Sequence, residues 1–295
     1  MSSLYYTRLR AYQLGNEGAS FSISVNGHFT LVEARCNEKN LPGIRWELSN
    51  IGKKYIDTLH ITSWDKDHCN YNELSYILRY LIPDVVECPS YEPRTETGKN
   101  SLKLILTYLK ARAIKEVRRI SAGAIRMQVR KPLQGQDIYY NPVNYSPTCA
   151  NDNSYVKLFR VGSFQILSLG DCESADISEA LSSDEILQSE VDVMILAHHG
   201  SSPDFTTLDF LRAINPRIAI SCSDIGNKYE HPLPIIRQRL STAGIPLLTT
   251  KAGDVIAQTV DKYHFKVSNY ISNSEKKESV ITLKNKTWYL NDMEP

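Results

Sequence analysis

The sequence predicts a layered α/β domain, β-rich in its first part and βαβ-like in its second, with an insertion near residues 88–150. Three observations carry this. Ser20-Phe-Ser-Ile-Ser-Val and His28-Phe-Thr-Leu-Val-Glu alternate in period two around Asn26-Gly27, a pair that adopts positive φ at both positions, and so form a hairpin. Residues 191–196 are continuously apolar, as a strand covered on both faces is. Residues 217–221 and 246–250 read as further strands, preceded by helical stretches at 208–214 and 233–243.

Between these landmarks, 56–62 reads as a strand, and 72–81 places Leu74, Ile77, Leu78 and Leu81 at helical spacing. Leu102, Ile105, Leu106, Leu109, Ala113, Val117 and Ile120 predict one longer helix over 101–120, with Ser101 as its N-cap. Residues 132–154, rich in Pro, Asn and Tyr, read as connections around one short strand, and 156–169 as a hairpin about Gly162. No repeat or low-complexity linker divides the chain, so a domain over 1–265 with a C-terminal extension, 266–295, is expected. The extension's apolar 280–283 and Trp288-Tyr289-Leu290 either complete a sheet or meet a protein partner.

Composition narrows the class. The chain has 295 residues, 42% of them hydrophobic and 23% charged, which excludes a disordered or collagen-like chain. Lys plus Arg number 34 against 33 Asp plus Glu, a net charge of +1, which excludes a uniformly basic nucleic-acid coat. The six cysteines are scattered without a CxxC pair and read as reduced thiols of a cytoplasmic protein. No signal peptide opens the sequence, and no stretch approaches the roughly 20 apolar residues that span a bilayer.

Four polar clusters follow directly on predicted strands: Ser63-Trp-Asp65-Lys-Asp67-His68, Gly170-Asp171, His198-His199-Gly200-Ser201, and Tyr229-Glu230-His231-Pro232. Strand ends of a layered α/β protein aim several loops at one point. Carboxylates and imidazoles brought together in this way are the ligand types of a divalent metal. Taken singly, each cluster also reads as an ordinary turn or helix cap.

Order and spacing together resemble the metallo-β-lactamase fold, and more closely the nuclease domain of that fold in the ComEC competence proteins. That family's pattern is a Gly-Gln-Gly-Asp-like turn, Thr-His-x-Asp-x-Asp-His, Asn-x-x-Ser before a hairpin, Gly-Asp, His-His-Gly-Ser and Asn-x-Tyr-Gly-His-Pro. The counterparts are Asn16-Glu-Gly18-Ala-Ser20, Thr62-Ser63-Trp-Asp65-Lys-Asp67-His68, Asn151-Asp-Asn153-Ser154, Gly170-Asp171, His198-His199-Gly200-Ser201 and Asn227-Lys-Tyr229-Glu-His231-Pro232, over about residues 8 to 260. The resemblance implies a four-layer αββα sandwich with a helical basic insertion and a metal centre at one edge. It implies that Asp67, His68 and one of His198 and His199 hold one ion, and that Asp171 bridges to a second ion also bound by Asp65. Asp67 and His231 would serve catalysis, His231 beside the leaving oxygen. Ser63 stands where the family has its first histidine, and Asn153 where many members have another, so one ion or two remain open, as Mn²⁺ or Zn²⁺ with Mg²⁺ a third choice. Cys69 and Cys172 follow proposed ligands and read as space-filling neighbours.

The implied activity is hydrolysis of a phosphodiester, DNA or RNA, by a metal-activated water. Two alternatives stand beside it: a small-ester, lactone or cyclic-nucleotide hydrolase on the same centre, and a catalytically silent subunit of a larger assembly. A separate observation concerns substrate: Lys99 to Lys131 contains ten basic residues against Glu116 alone, a segment at +9. That is either a solvated helix face or a patch that tracks a polyanion backbone, with Lys115, Arg118 and Arg119 the expected contacts. Ser201 and Asn227, in the motif loops, are also expected at the substrate, and Tyr139, Tyr140, Tyr145 and Tyr155 offer faces for base stacking.

Overall fold

The computed structural model describes residues 6–112, 115–125, 136–141, 149–226, 230–270 and 277–287. Among them, fifteen strands form two sheets. The first has nine, in the order β15-β14-β13-β1-β2-β3-β4-β5-β6, and the second six, β12-β11-β10-β9-β8-β7. The first contains β1 (Thr7–Ala11), β2 (Phe21–Val25), β3 (His28–Val32), β4 (Thr58–His60), β5 (Val85–Pro89), β6 (Glu116–Ile120), β13 (Val255–Thr259), β14 (His264–Tyr270) and β15 (Lys277–Lys284). The second contains β7 (Ile138–Tyr140), β8 (Val156–Phe159), β9 (Gln165–Ser168), β10 (Val191–Ile195), β11 (Ile218–Ser221) and β12 (Leu247–Thr249).

Period-two alternation sends each strand's side chains to two faces, and the packing follows from it. Leu9, Phe21, Ile23, Phe164, Val193 and Ile195 belong to one core between the sheets. Phe29, Leu31, Leu59 and Val86 face the other way, against α1 (Leu41–Asn50), α2 (Tyr71–Tyr76) and α3 (Glu96–Ala111). On the second sheet, Val191 and Met194 meet α4 (Ala175–Ser182), α5 (Glu185–Glu190), α6 (Leu208–Ile214) and α7 (Pro234–Thr242). The result is the expected αββα stack. All five residues of β10 are buried because it faces both cores. The β2–β3 turn has φ of 48° at Asn26 and 82° at Gly27, as the Asn-Gly pair predicts.

Residues Ile77–Leu81 of the predicted 72–81 helix form a π-helical turn after α2, and one predicted element changes type. The predicted 101–120 helix starts earlier, at Glu96 with Thr95 as N-cap, and ends at Ala111. Residues 116–120 are not helical; they form β6, parallel to β5 in the register Val85↔Glu116 through Pro89↔Ile120. Val117 and Ile120 continue the helical spacing by coincidence, whereas the open edge of β5 supplies main-chain partners that a lone helical turn lacks. The strand at 85–89 was not foreseen. β14 and β15 extend the first sheet at β13, with Phe265 stacked on Phe164 at 4.7 Å, so the 280–283 stretch completes a sheet.

The parallel registers set up the site. β3, β4, β5 and β6 run in one direction, as do β9, β10, β11 and β12, so their C-terminal ends gather the polar loops at one edge of the sandwich. No helix among the described residues is long and apolar enough to cross a membrane.

Candidate metal centre

The loop after β4 carries Thr62 to His68, and its shape is held by Arg35 and by the close approach of Gly18. Arg35 donates to the Asp67 carbonyl at 3.0 Å and pairs with Glu73 at 3.0 Å. Gly18, at φ 122°, passes so close to Arg35 and the Asp67 carbonyl that any Cβ would collide with both. Gly170, at φ 57°, turns the chain from β9 into Asp171, where a Cβ would meet Ser154 and the Tyr155 carbonyl. His198 and His199 follow β10, both at positive φ (45° and 58°), which turns their side chains back towards the loops.

Asp67, His68, Asp171 and His199 converge, each offering one ligand atom, all within 4.8 Å of one another. His68 Nε2 lies 2.7 Å from Asp171 Oδ2 and 3.9 Å from Asp67 Oδ2; His199 Nε2 lies 3.5 Å from Asp67 Oδ2 and 3.9 Å from Asp171 Oδ1. The other ring nitrogens are engaged: His68 Nδ1 is 3.0 Å from Glu33 Oε1, and His199 Nδ1 donates to the Cys222 carbonyl at 2.9 Å. Each such acceptor directs Nε2 inward. Both Nε2 atoms are buried and make no hydrogen bond of normal geometry. Two inward imidazoles and two carboxylates are a donor set that fits a divalent metal.

Electrostatics agree. Burial alone lowers the His68 pKa, but Asp171, Glu33 and Asp67 together raise it well above the usual value. Burial likewise opposes the ionised Asp67 and Asp171, yet His68 and His199 hold both below the ordinary carboxylate range. His231 goes the other way: burial, then the neighbouring His199, His198 and Lys251, lower it to about 4.

The remaining expected residues fall into distinct places. Of the histidine pair, the fold brings His199 into the cluster; His198 pairs with Glu173, Nδ1 to Oε1 at 2.6 Å. Both line a cleft of about 100 Å³ with Asp67, His231, Glu17 and Ser223. Asp65 stays outside the cluster, bonded to Ser63 Oγ at 3.1 Å, and Asn153 is buried and donates to the Cys149 carbonyl at 3.3 Å. Ser201 Oγ is buried without a partner, and Asn227 lies outside the described residues. Cys69 and Cys172 are buried and not in the cluster. Lys115, Arg118 and Arg119 lie on or beside β6 and pair with Asp84, Glu116 and Glu92; none of them lines the cleft. The stacking expected of Tyr139, Tyr140 and Tyr155 is not possible, because all three are buried with their hydroxyls bonded to Glu87, Asp184 and the Ile120 carbonyl; Tyr145 lies outside the described residues.

Three contributors escaped sequence reasoning. Glu33 ends the β3 hairpin arm and accepts from Thr62 Oγ1 at 2.6 Å as well as facing His68; an acid closing an apolar strand was its available signal. Glu173, two residues beyond Asp171, was equally visible. The Cys222 carbonyl is main chain and leaves no sequence mark.

No protein-family model matches the chain. It is 26% identical over 213 residues to ComE operon protein 3 of Bacillus subtilis (strain 168), a match covering 70% of this chain and 25% of that protein. It is 38% identical over 58 residues to competence protein ComA of Neisseria gonorrhoeae, covering 20% and 8%. The chain therefore matches about a quarter of the first relative's length and under a tenth of the second's. Among solved structures, the metallo-β-lactamase fold protein YhfI from Bacillus subtilis aligns with a TM-score of 0.50 at 10% identity, over 85% of this chain and 100% of that one.

Proposed function

We propose that this chain, which has the metallo-β-lactamase fold, is a metal-dependent phosphodiesterase acting on DNA or RNA. The observation that carries the reading is the pair of buried Nε2 atoms of His68 and His199 that face the carboxylates of Asp67 and Asp171 without a hydrogen bond of normal geometry. These four would hold one divalent ion, Mn²⁺ or Zn²⁺; Asp65, beside Ser63, is the nearest candidate to assist a second. Bound there, the ion lowers the pKa of water towards about 7 and offsets charge on a phosphoryl oxygen.

The chain's own groups do the rest. Glu33 and the Cys222 carbonyl fix the ring orientation of the two histidines. Asp67 lines the cleft and stays ionised through the neutral range, so it orients the attacking water while it binds. His231, on the cleft wall, is uncharged at neutral pH in the free protein; a bound phosphate raises its pKa and brings proton donation to the leaving oxygen within reach. The likeness to two competence proteins supports a nucleic-acid substrate. Six cysteines, none of them in a disulfide, support a reducing, cytoplasmic setting.

A second reading, hydrolysis of a small ester, lactone or cyclic nucleotide, is favoured by the small cleft, about 100 Å³. Assays with Mn²⁺ or Zn²⁺ on oligonucleotides and on bis(p-nitrophenyl) phosphate separate the two. Cleavage of oligonucleotides lost in Asp67→Ala and His68→Ala, with folding intact, supports the nuclease reading; undiminished cleavage in both variants rejects it.

A further inference from the structure

We propose that the outer face of α1, of α2 with the π-helical turn Ile77–Leu81 that continues it, and of α3 is a surface for single-stranded nucleic acid. This rests on the nucleic-acid reading above and says where the strand lies. At its centre, Arg45 donates to the Tyr76 hydroxyl at 2.8 Å, Tyr76 and Tyr80 lie 4.7 Å apart ring to ring, and the Arg79 guanidinium sits 6.0 Å from the Tyr80 ring. Tyr80 is 53% exposed, so its ring faces water rather than the core.

Charge on this layer is one-sided. The three helices hold three carboxylates, and each is engaged: Glu47 by Arg8 and Arg10, Glu73 by Arg35, Glu96 by Lys99. Arg45, Arg79, Lys103 and Lys110 are exposed and in no ion pair among the described residues. The helical half of the basic segment thus stands on this layer, since α3 packs on α2. The half on β6 is offset by Asp84, Glu116 and Glu92. Unpaired cations release counterions when they meet phosphates; paired ones must first break their contacts.

Among the described residues, the large apolar groups exposed on these helical segments are Trp46, Tyr71, Tyr80 and Leu106, and only the last of these four is aliphatic. Aromatic rings set among guanidinium groups suit unpaired bases, which stack regardless of sequence; a duplex keeps its base faces covered. α2 begins three residues after His68, so this layer adjoins the loop that carries Asp67 and His68.

The test is fluorescence anisotropy of labelled oligothymidylate of 20 nucleotides, without divalent metal, so that binding is read apart from cleavage. Tyr80→Ala is expected to weaken binding about tenfold and Tyr80→Phe to restore it. Arg45→Gln with Arg79→Gln should lower the salt slope by about 1.4. Replacement of Lys115, Arg118 and Arg119 by Gln should change affinity less than twofold. If the wild type binds the oligonucleotide but Tyr80→Ala binds it equally well, the proposal is overturned and the nucleic-acid reading stands. Failure of the wild type to bind any oligonucleotide, with bis(p-nitrophenyl) phosphate still cleaved, removes both. Self-association lost in Tyr80→Ala, without oligonucleotide binding, would mark the face as a protein contact and likewise overturn the proposal.

Discussion

Replacing Glu33 with Gln should perturb the candidate metal site through a residue outside the four-residue cluster. Glu33 is 2% exposed; Oε1 accepts from Thr62 Oγ1 at 2.6 Å and lies 3.0 Å from His68 Nδ1, while Oε2 accepts from the Thr62 amide at 3.1 Å. Gln keeps the shape but turns one oxygen into NH₂. In one orientation that group faces the Thr62 N–H; in the other it faces the His68 Nδ1 side. Either way a buried donor meets a donor, and the charge that orients His68 is gone. Loss of such an outer contact weakens metal binding about 10- to 100-fold, roughly 1.4–2.7 kcal/mol. The assay is chelator competition for Zn²⁺ or Mn²⁺, with thermal unfolding of the metal-free protein as the fold control. Thr62→Val, which removes the hydroxyl alone, should weaken binding less than tenfold. Metal affinity within twofold of wild type in Glu33→Gln, at unchanged metal-free stability, would refute the reasoning.

Other consequences follow from the same geometry. Because neighbouring carboxylates outweigh burial and raise His68, and Asp67 and Asp171 raise His199, the metal-free cluster holds protons at neutral pH. Metal must displace them, so affinity falls as pH falls, and calorimetry in buffers of different ionisation heat at pH 7 should show release of about one proton or more; zero release contradicts the ligand assignment. Between the sheets, Lys157 Nζ lies 3.2 Å from both Glu87 Oε2 and Asp137 Oδ2 and is 4% exposed. Lys157→Met should cost about 3–5 kcal/mol in denaturant unfolding because two acids lose their buried cation; a loss under about 1 kcal/mol, smaller than most single substitutions cause, argues against the network. Burial opposes the Glu87 charge, but Lys157, His60 and Tyr139 hold its pKa below the usual range. Its stabilisation is therefore present above the unfolded value, about 4.3, and fades as pH falls below it, a slope that Lys157→Met should flatten. Phe265→Ala should cost about 3–5 kcal/mol, since the ring is fully buried on Phe164; a near-neutral effect would place β14 outside the core.

Much of the fold was legible because its signals are local. Asn26-Gly27 specifies a turn through the φ values its two residues tolerate, and the apolar run of β10 specifies a strand covered on both sides. The same local logic misread 116–120. Val117 and Ile120 fit a helical period, and the deciding factor was the open edge of β5, which is remote from them in sequence. The basic segment meets a related limit. Its count of charges is a property of the chain, whereas the partners that offset Lys115 and Arg119 come from other elements.

By itself the sequence determined which chemistries were present and that each followed a strand: Asp67-His68, Asp171, the histidine pair and His231. Tertiary structure alone decided that His199 joins Asp67, 132 positions away, while His198 turns to Glu173, and that Glu33 and the Cys222 carbonyl aim the two imidazoles. The physical reason is range. Periodicity and turn preference are set by a residue's immediate neighbours. Convergence of the four side chains depends on how two sheets stack and on the register of their parallel strands, which the burial of the shared core settles.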